Sequence, residues 1–205
     1  MKIALVGYGF YTLGNNMLEG GTIFPSILSW SLENPEEQVE VSLFTRSRSS
    51  ARIARKRLDQ FLTKYSRILN EQRFSCRVLE FGEVSQGESF EAGILATPES
   101  SHLEVIEWLA PRVNAIIAVK PLGETEEDLN QILVAERKYS CPIFVDFHKR
   151  FDEANISFIN RVATSAFKGA VFSFSYGQKA EMPLNYFSKW ASESNPFQYL
   201  APHYL

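Results

Sequence analysis

An α/β fold built on a mostly parallel sheet is what this sequence predicts, and three features predict it. Six short runs rich in branched apolar residues alternate with segments of helical spacing as far as residue 147. The first of these runs leads directly into a glycine turn, Gly7-Tyr8-Gly9. After Arg150 the alternation gives way to one helical segment, one alternating strand and an aperiodic stretch, the start of an α+β second domain. The expected domains are residues 1–148 and 149–205.

Lys2 to Val6 (KIALV) has the composition of a buried strand. A helix-compatible segment follows the glycine turn, with Leu13, Met17 and Leu18 as its apolar positions. Strand, glycine turn and helix together aim backbone N–H groups at a phosphate, and the missing side chains admit a pyrophosphate. Gly7 and Gly9 fit the first two glycines of a dinucleotide fingerprint, whereas the third position is Thr12. Tyr8, Phe10, Tyr11 and Thr12 are therefore candidate cofactor contacts beside the two glycines. A plain strand–turn–helix would use the same residues. Ile23, Phe24, Ile27, Leu28 and Leu32 predict a further helix opened by Pro25 and stopped at Asn34-Pro35; it reads as an extension of the first crossover.

Val39 to Phe44 (VEVSLF) is the second strand. An NAD-selective fold usually places a carboxylate at its end to bind the ribose hydroxyls. The sequence there is Thr45-Arg46-Ser47-Arg48, without an acid. Arg46 or Arg48, with the hydroxyls of Thr45 and Ser47, suits a 2′-phosphate, so NADP is expected ahead of NAD; a solvated basic turn is the alternative. Ser49 to Asn70 predicts a long helix with a basic, solvated face. Cys76 to Phe81, Glu91 to Ala96, Asn114 to Val119 and Pro142 to Phe147 give the remaining strands. Ser100 or Ser101 is placed to cap the helix carrying Leu103, Ile106, Trp108 and Leu109, and Thr125 with Asp128 forms a near capping box for the next. Beyond Arg150, Glu153 to Phe167 is a predicted helix and Ala170 to Tyr176 a strand.

Composition bounds the function. With 205 residues, 45% hydrophobic and 22% charged, the chain has the make-up of a soluble globular protein. A net charge of −3 argues against nucleic-acid partners. No apolar run approaches the roughly 20 residues of a membrane span, and no signal-peptide pattern opens the chain. Cys76 and Cys141 read as buried free thiols of a reducing cytoplasm, and two cysteines alone make no metal site.

Four stretches and the last segment together resemble the glucose–fructose oxidoreductase/inositol dehydrogenase (Gfo/Idh/MocA) family of nicotinamide-dependent sugar oxidoreductases. They are VGYG at 6–9, ATPESSH at 96–102, VKPLGET at 119–125, FHKRFD at 147–152 and QYLAPHYL at 198–205, in family order. The resemblance implies an N-terminal Rossmann doubly wound parallel sheet and a C-terminal α+β domain whose sheet can make a homo-oligomer. It implies hydride transfer between nicotinamide and a sugar or sugar-derivative alcohol or ketone, with NADP or NAD as cofactor.

By position, the resemblance makes Thr97 and Pro98 the cofactor-bordering loop and His102 the histidine opening the next helix. On the residues themselves, His102 reads as a structural polar contact more than a catalyst. Lys120 with Pro121 matches the lysine-proline pair of the family's Glu-Lys-Pro motif. Lys120 is thus the group expected to meet both cofactor and substrate oxygen, and Val119 stands where the family has Glu. His148, Lys149 and Arg150 match a variable polar segment; Arg150 either orients a substrate or braces the domain junction. His203 matches the catalytic histidine and is suited to general-base work near neutrality. Tyr199 replaces the family's Asp and is left as a sugar contact. Family members run on for a further set of strands, so the chain is expected to be a piece, a prematurely ended frame or a naturally short member. A non-catalytic dinucleotide sensor or inactive truncated relative is the alternative function, and a scaffold that binds only a partner protein a third.

Overall fold

The computed structural model describes residues 1–15, 18–19, 21–69 and 73–164. Strands β1 (Lys2–Val6), β2 (Val39–Thr45), β3 (Phe74–Glu80), β4 (Ala92–Leu95), β5 (Ile116–Val119) and β6 (Ile143–Asp146) form one sheet in the order β3-β2-β1-β4-β5-β6. The β1–β2, β1–β4, β2–β3 and β4–β5 pairings are parallel. Each apolar run read from the sequence is a strand, with ends moved by one or two residues. Strand order reverses across β1, where Val6 is in register with both Phe44 and Leu95. A crevice at such a switch point, outside the strand C-termini, is where open α/β sheets bind ligands.

Side-chain alternation sends successive β1 residues to opposite faces. Ile3 and Leu5 join one core, with Phe24 and Ile27 of helix α2 (Ile23–Glu33) and Ala54, Leu58 and Phe61 of α3 (Arg48–Tyr65). Ala4 and Val6 join the other, with Val105, Ile106 and Leu109 of α4 (His102–Leu109) and Ile132 and Ala135 of α5 (Glu126–Tyr139). Aromatic side chains knit both layers. Phe24 meets Phe61 edge-on at 5.0 Å, and Phe44 meets Trp108 edge-on at 5.1 Å.

The first crossover departs from expectation. The helix after the glycine turn, α1, is a single turn, Phe10–Leu13. Gly14, at φ 74° and ψ −167°, leaves the helical path, and Asn15 is a weak helix former. Gly14–Asn15 instead pairs antiparallel with Leu18–Glu19, so Leu18 is not a helical position; Met17 lies outside the described residues. Helix α2 supplies the packing that a longer α1 would have given. Pro25 sits in its first turn, and Asn34 closes it by donating from Nδ2 to Trp30 O at 2.8 Å.

Thr125 and Asp128 complete a reciprocal capping box on α5. The cap expected from Ser101 on α4 is not made. Its hydroxyl turns back to Thr97 Oγ1 at 2.9 Å and to Pro98 O at 2.8 Å, because a 3₁₀ turn over Glu99–Ser101 precedes the helix. Cys76 and Cys141 are free thiols; Cys141 is buried and Cys76 half-buried, and burial pushes the Cys76 thiol up to about 12.

The chain divides into two units, Met1–Val145 and Asp146–Leu205. Within the second, a 3₁₀ turn (His148–Phe151) precedes helix α6 (Glu153–Thr164), whose residues are not buried. The Asp152 carboxylate accepts from Ala154 N at 3.1 Å at the start of α6. The predicted strand Ala170 to Tyr176 and the end of the predicted helix at Phe167 lie outside the described residues. Among the described residues, no helix is long and apolar enough to cross a membrane, and no cluster of His, Cys, Asp and Glu could hold a metal ion.

Candidate dinucleotide site

The switch point is closed by contacts of the glycine turn with both neighbouring strands. Gly7 N donates to Phe44 O at 3.2 Å, and Ala96 N donates to Val6 O at 2.8 Å. Gly7 has a φ of +104°, and a Cβ there would stand 2.2 Å from Ala96 O and 3.3 Å from Thr97 Cγ2. Only glycine fits, on conformation and on space alike. Gly9 is different: its φ is −71°, and a Cβ would meet nothing within 4 Å. The turn is therefore open on the side of Gly9, as a pyrophosphate cradle requires.

Long-range contacts hold this turn. Tyr8 O accepts from Arg57 Nη1 at 3.2 Å, and the Arg57 guanidinium lies 5.7 Å from the Tyr8 ring centre. The Tyr8 hydroxyl reaches Ser50 Oγ at 3.3 Å. Phe10 and Tyr11 meet edge to face, 5.7 Å between centroids, and Tyr11 O accepts from Thr22 N at 2.8 Å. Thr12 is fully buried and its Oγ1 has no hydrogen-bond partner. Thr12 thus occupies the third fingerprint position with a side chain, and its hydroxyl is carried inside at a cost of about 1–3 kcal/mol.

At the end of β2, Thr45 is buried and its Oγ1 lies 3.4 Å from both Ser47 O and Leu79 O. Ser47 caps α3, accepting from Ser50 N at 3.3 Å, and its hydroxyl is 2.9 Å from that of Ser49. Arg46 is 57% exposed and pairs through Nη2 with Glu104 Oε2 at 2.6 Å. That carboxylate, on the first turn of α4, is a partner the sequence reading did not anticipate. An exposed pair of this kind is worth about 0–1 kcal/mol.

Across the switch point, the loop after β4 and the loop after β5 are tied together by His102. Its Nε2 lies 2.8 Å from Thr97 O and its Nδ1 3.0 Å from Leu122 O. Burial pushes the imidazole below its usual value, against the two carbonyls and Glu99, which favour its cation. This is the structural contact read from the sequence, with both ring nitrogens engaged by backbone. Lys120 directly follows β5, is buried, and precedes Pro121 through a cis peptide. Burial pushes its ammonium down to about 8, and the carboxylate of Glu99 works in the opposite direction. Glu99 is buried too, and nothing in the sequence reading singled it out. Its signal was a carboxylate directly after Pro98 at a strand C-terminus.

The structure thus brings the Gly7–Thr12 turn, the Thr45–Ser47 corner, the Thr97–Pro98 loop and Lys120–Pro121 to one edge of the first unit. In the second unit, Arg150 lays its guanidinium 4.9 Å from the Phe147 ring centre. Tyr199 and His203 lie outside the described residues.

Solved structures with the same architecture were found. A scyllo-inositol dehydrogenase from Lactobacillus casei, with bound NAD(H) and scyllo-inositol, aligns over 99% of this chain at a TM-score of 0.62 and 18% identity. A Gfo/Idh/MocA family oxidoreductase from Vibrio cholerae aligns over 80% at 0.52 and 18% identity. An NAD-binding oxidoreductase from Klebsiella pneumoniae aligns over 80% at 0.53 and 13% identity. The chain has the Rossmann fold of these oxidoreductases. It spans 53%, 43% and 38% of their respective lengths. No protein-family model and no curated protein matches the sequence. In this Rossmann fold, the glycine turn after β1, the corner after β2 and the loops after β4 and β5 all fall at the strand C-termini, where the topology puts a ligand.

Proposed function

We propose that the chain binds NADP, or less tightly NAD, across the Gly7–Gly9 turn and serves a sugar oxidoreductase of the Gfo/Idh/MocA type. The observation that carries the reading is a buried lysine, Lys120, at the same sheet edge as a turn in which Gly7 admits no side chain and Gly9 leaves open space. The turn residues fit the cofactor: Gly9 lets a pyrophosphate approach the backbone, and Arg46 stands at the corner where a 2′-phosphate would lie. Because α1 is one turn long, the cradle relies on the turn's N–H groups more than on a helix dipole. The solved neighbours support the reading, one of them holding NAD(H) and scyllo-inositol.

Bound nicotinamide would supply or accept the hydride. The protein's part is to place charge and protons. Lys120, as an ammonium, donates a hydrogen bond to the substrate oxygen and stabilises negative charge developing there. His203 exchanges the hydroxyl proton, and Tyr199 and Arg150 contact the sugar. A non-catalytic dinucleotide sensor is the second reading, favoured by Val119, which leaves the strand end before Lys120 without a carboxylate.

Fluorescence titration with NADPH and NADH tests the binding. NADPH is expected to bind more tightly, and binding of neither rejects both readings. Binding without turnover on a sugar panel selects the sensor. In Arg46→Asp the NADPH preference is expected to fall by about tenfold or more, the loss of one charge-assisted contact and the gain of a repulsive one. An unchanged NADPH-to-NADH ratio removes Arg46 from the site.

A further inference from the structure

We propose that Arg57 is a positioning residue for the dinucleotide: its guanidinium takes the Tyr8 carbonyl and thereby fixes the direction of the Gly9 N–H as a donor to the pyrophosphate. The proposal rests on the reading of the Gly7–Gly9 turn as the cofactor's cradle.

Helix α3 carries six basic side chains, Arg48, Arg52, Arg55, Lys56, Arg57 and Lys64. Five are exposed and Arg57 is half-buried. It directly precedes Leu58, which with Ala51, Ala54 and Phe61 makes the buried stripe of the helix. Its guanidinium meets Tyr8 twice. Nη1 donates to Tyr8 O at 3.2 Å, and the group lies 5.7 Å from the ring centre, within reach of the ring's negative face. The Tyr8 hydroxyl is 3.3 Å from Ser50 Oγ on the same helix. Among the described residues no carboxylate pairs with Arg57, so the carbonyl is the acceptor its charge serves.

The consequence falls on the next residue. Tyr8 C=O and Gly9 N–H belong to one planar trans peptide and point in opposite directions. With the oxygen drawn to α3, the Gly9 N–H faces away from α3. No hydrogen bond among the described residues occupies that N–H, and a Cβ on Gly9 would meet nothing within 4 Å. Glycine has little φ preference of its own, so the peptide plane before Gly9 needs an outside anchor. The bonds from Thr12 N and Leu13 N go to Gly9 O, one peptide further on. A charged donor on the Tyr8 oxygen also polarises the peptide and strengthens its N–H as a donor. That matters here because α1 is four residues long and contributes little dipole.

The same helix provides a control. Arg55 Nη2 donates to Val78 O on β3 at 3.1 Å, the same kind of contact made away from the turn. The test reads the Gly9 amide by NMR on the full chain, and the NADPH and NADH affinities by fluorescence. Arg57→Met keeps the side-chain stem and removes the charge and the donors. Without nucleotide, the Gly9 resonance is expected to shift or broaden in this variant. Both affinities should fall by one factor, about tenfold, because the pyrophosphate is common to the two. The NADPH-to-NADH ratio stays, in contrast with Arg46→Asp. Arg57→Lys keeps the charge and one donor and should restore part of the loss. Arg55→Met should leave the Gly9 amide and both affinities in place. A Gly9 resonance unmoved by Arg57→Met overturns the inference, and so do unchanged affinities or a loss matched by Arg55→Met. If Arg57→Met does not fold, the unmodified chain answers: saturating NADPH must displace the Gly9 amide resonance, and an unmoved resonance overturns the inference. Failure of both nucleotides to bind the unmodified chain is a separate result, which rejects the proposed function together with this role of Arg57.

Discussion

Lys120→Ala is expected to lower turnover by about 10²–10³-fold while changing NADPH affinity only a few-fold. Removing one preorganised donor to a developing oxyanion has an effect of that size, and the glycine turn proposed to hold the pyrophosphate is untouched. Loss confined to turnover is the signature of an interaction made in the transition state. The pH profile follows with a definite sign. In the proposed role Lys120 acts as the ammonium, and burial pushes its titration down to about 8, so turnover is expected to decline as the pH rises through that value. Steady-state kinetics of the purified protein, paired with fluorescence titration, separate the two quantities. Undiminished turnover in the alanine variant would remove Lys120 from the chemistry.

Gly7→Ala should cost roughly 2–4 kcal/mol of folding stability, read as a lower urea midpoint, because two penalties coincide there. A φ of +104° is one that L side chains rarely adopt, and the new methyl would lie 2.2 Å from the Ala96 carbonyl oxygen, a backbone atom with no rotamer to yield. Gly9→Ala is the matched control. At φ −71° with open space around the site, the substitution should move stability by no more than about 0.5 kcal/mol. Yet its methyl would stand where the pyrophosphate approaches the turn, so NADPH affinity should fall by about tenfold or more. If Gly9→Ala binds NADPH like the unmodified chain, the turn is not the cradle.

The centre of the sheet was legible in the sequence because its strands β1 and β2 are largely buried on both faces, and such burial demands a continuous apolar run. Lys2–Val6 and Val39–Thr45 show this plainly. The caps of α5 and the start of α2 were legible for the same local reason: Thr125, Asp128 and Pro25 act within one helical turn. The first crossover was not. Leu13, Met17 and Leu18 keep helical spacing, but Gly14 sets a backbone conformation that periodicity does not record. Of Ser100 and Ser101, Ser101 does stand at the N-cap of α4, but its hydroxyl makes no capping bond because it has nearer acceptors in the preceding 3₁₀ turn. In the site, Gly7, Arg46 and Lys120 could be picked out as residue types at strand ends, and His102 as the histidine that opens the next helix. Glu104 could not, since its importance lies in the distant cation it faces, Arg46.

The glycine turn is short, but what stiffens it lies 49 residues away at Arg57, whose guanidinium takes the carbonyl of Tyr8, with Ser50 holding the phenol. Both belong to the helix that begins at the Arg46 corner. In the proposed reading, the pyrophosphate at the glycine turn and the 2′-phosphate at the Arg46 corner would both lie against elements joined by this one helix. The spacing between the turn and the corner is thus gauged by one rod of α-helix and not by the slack of a loop.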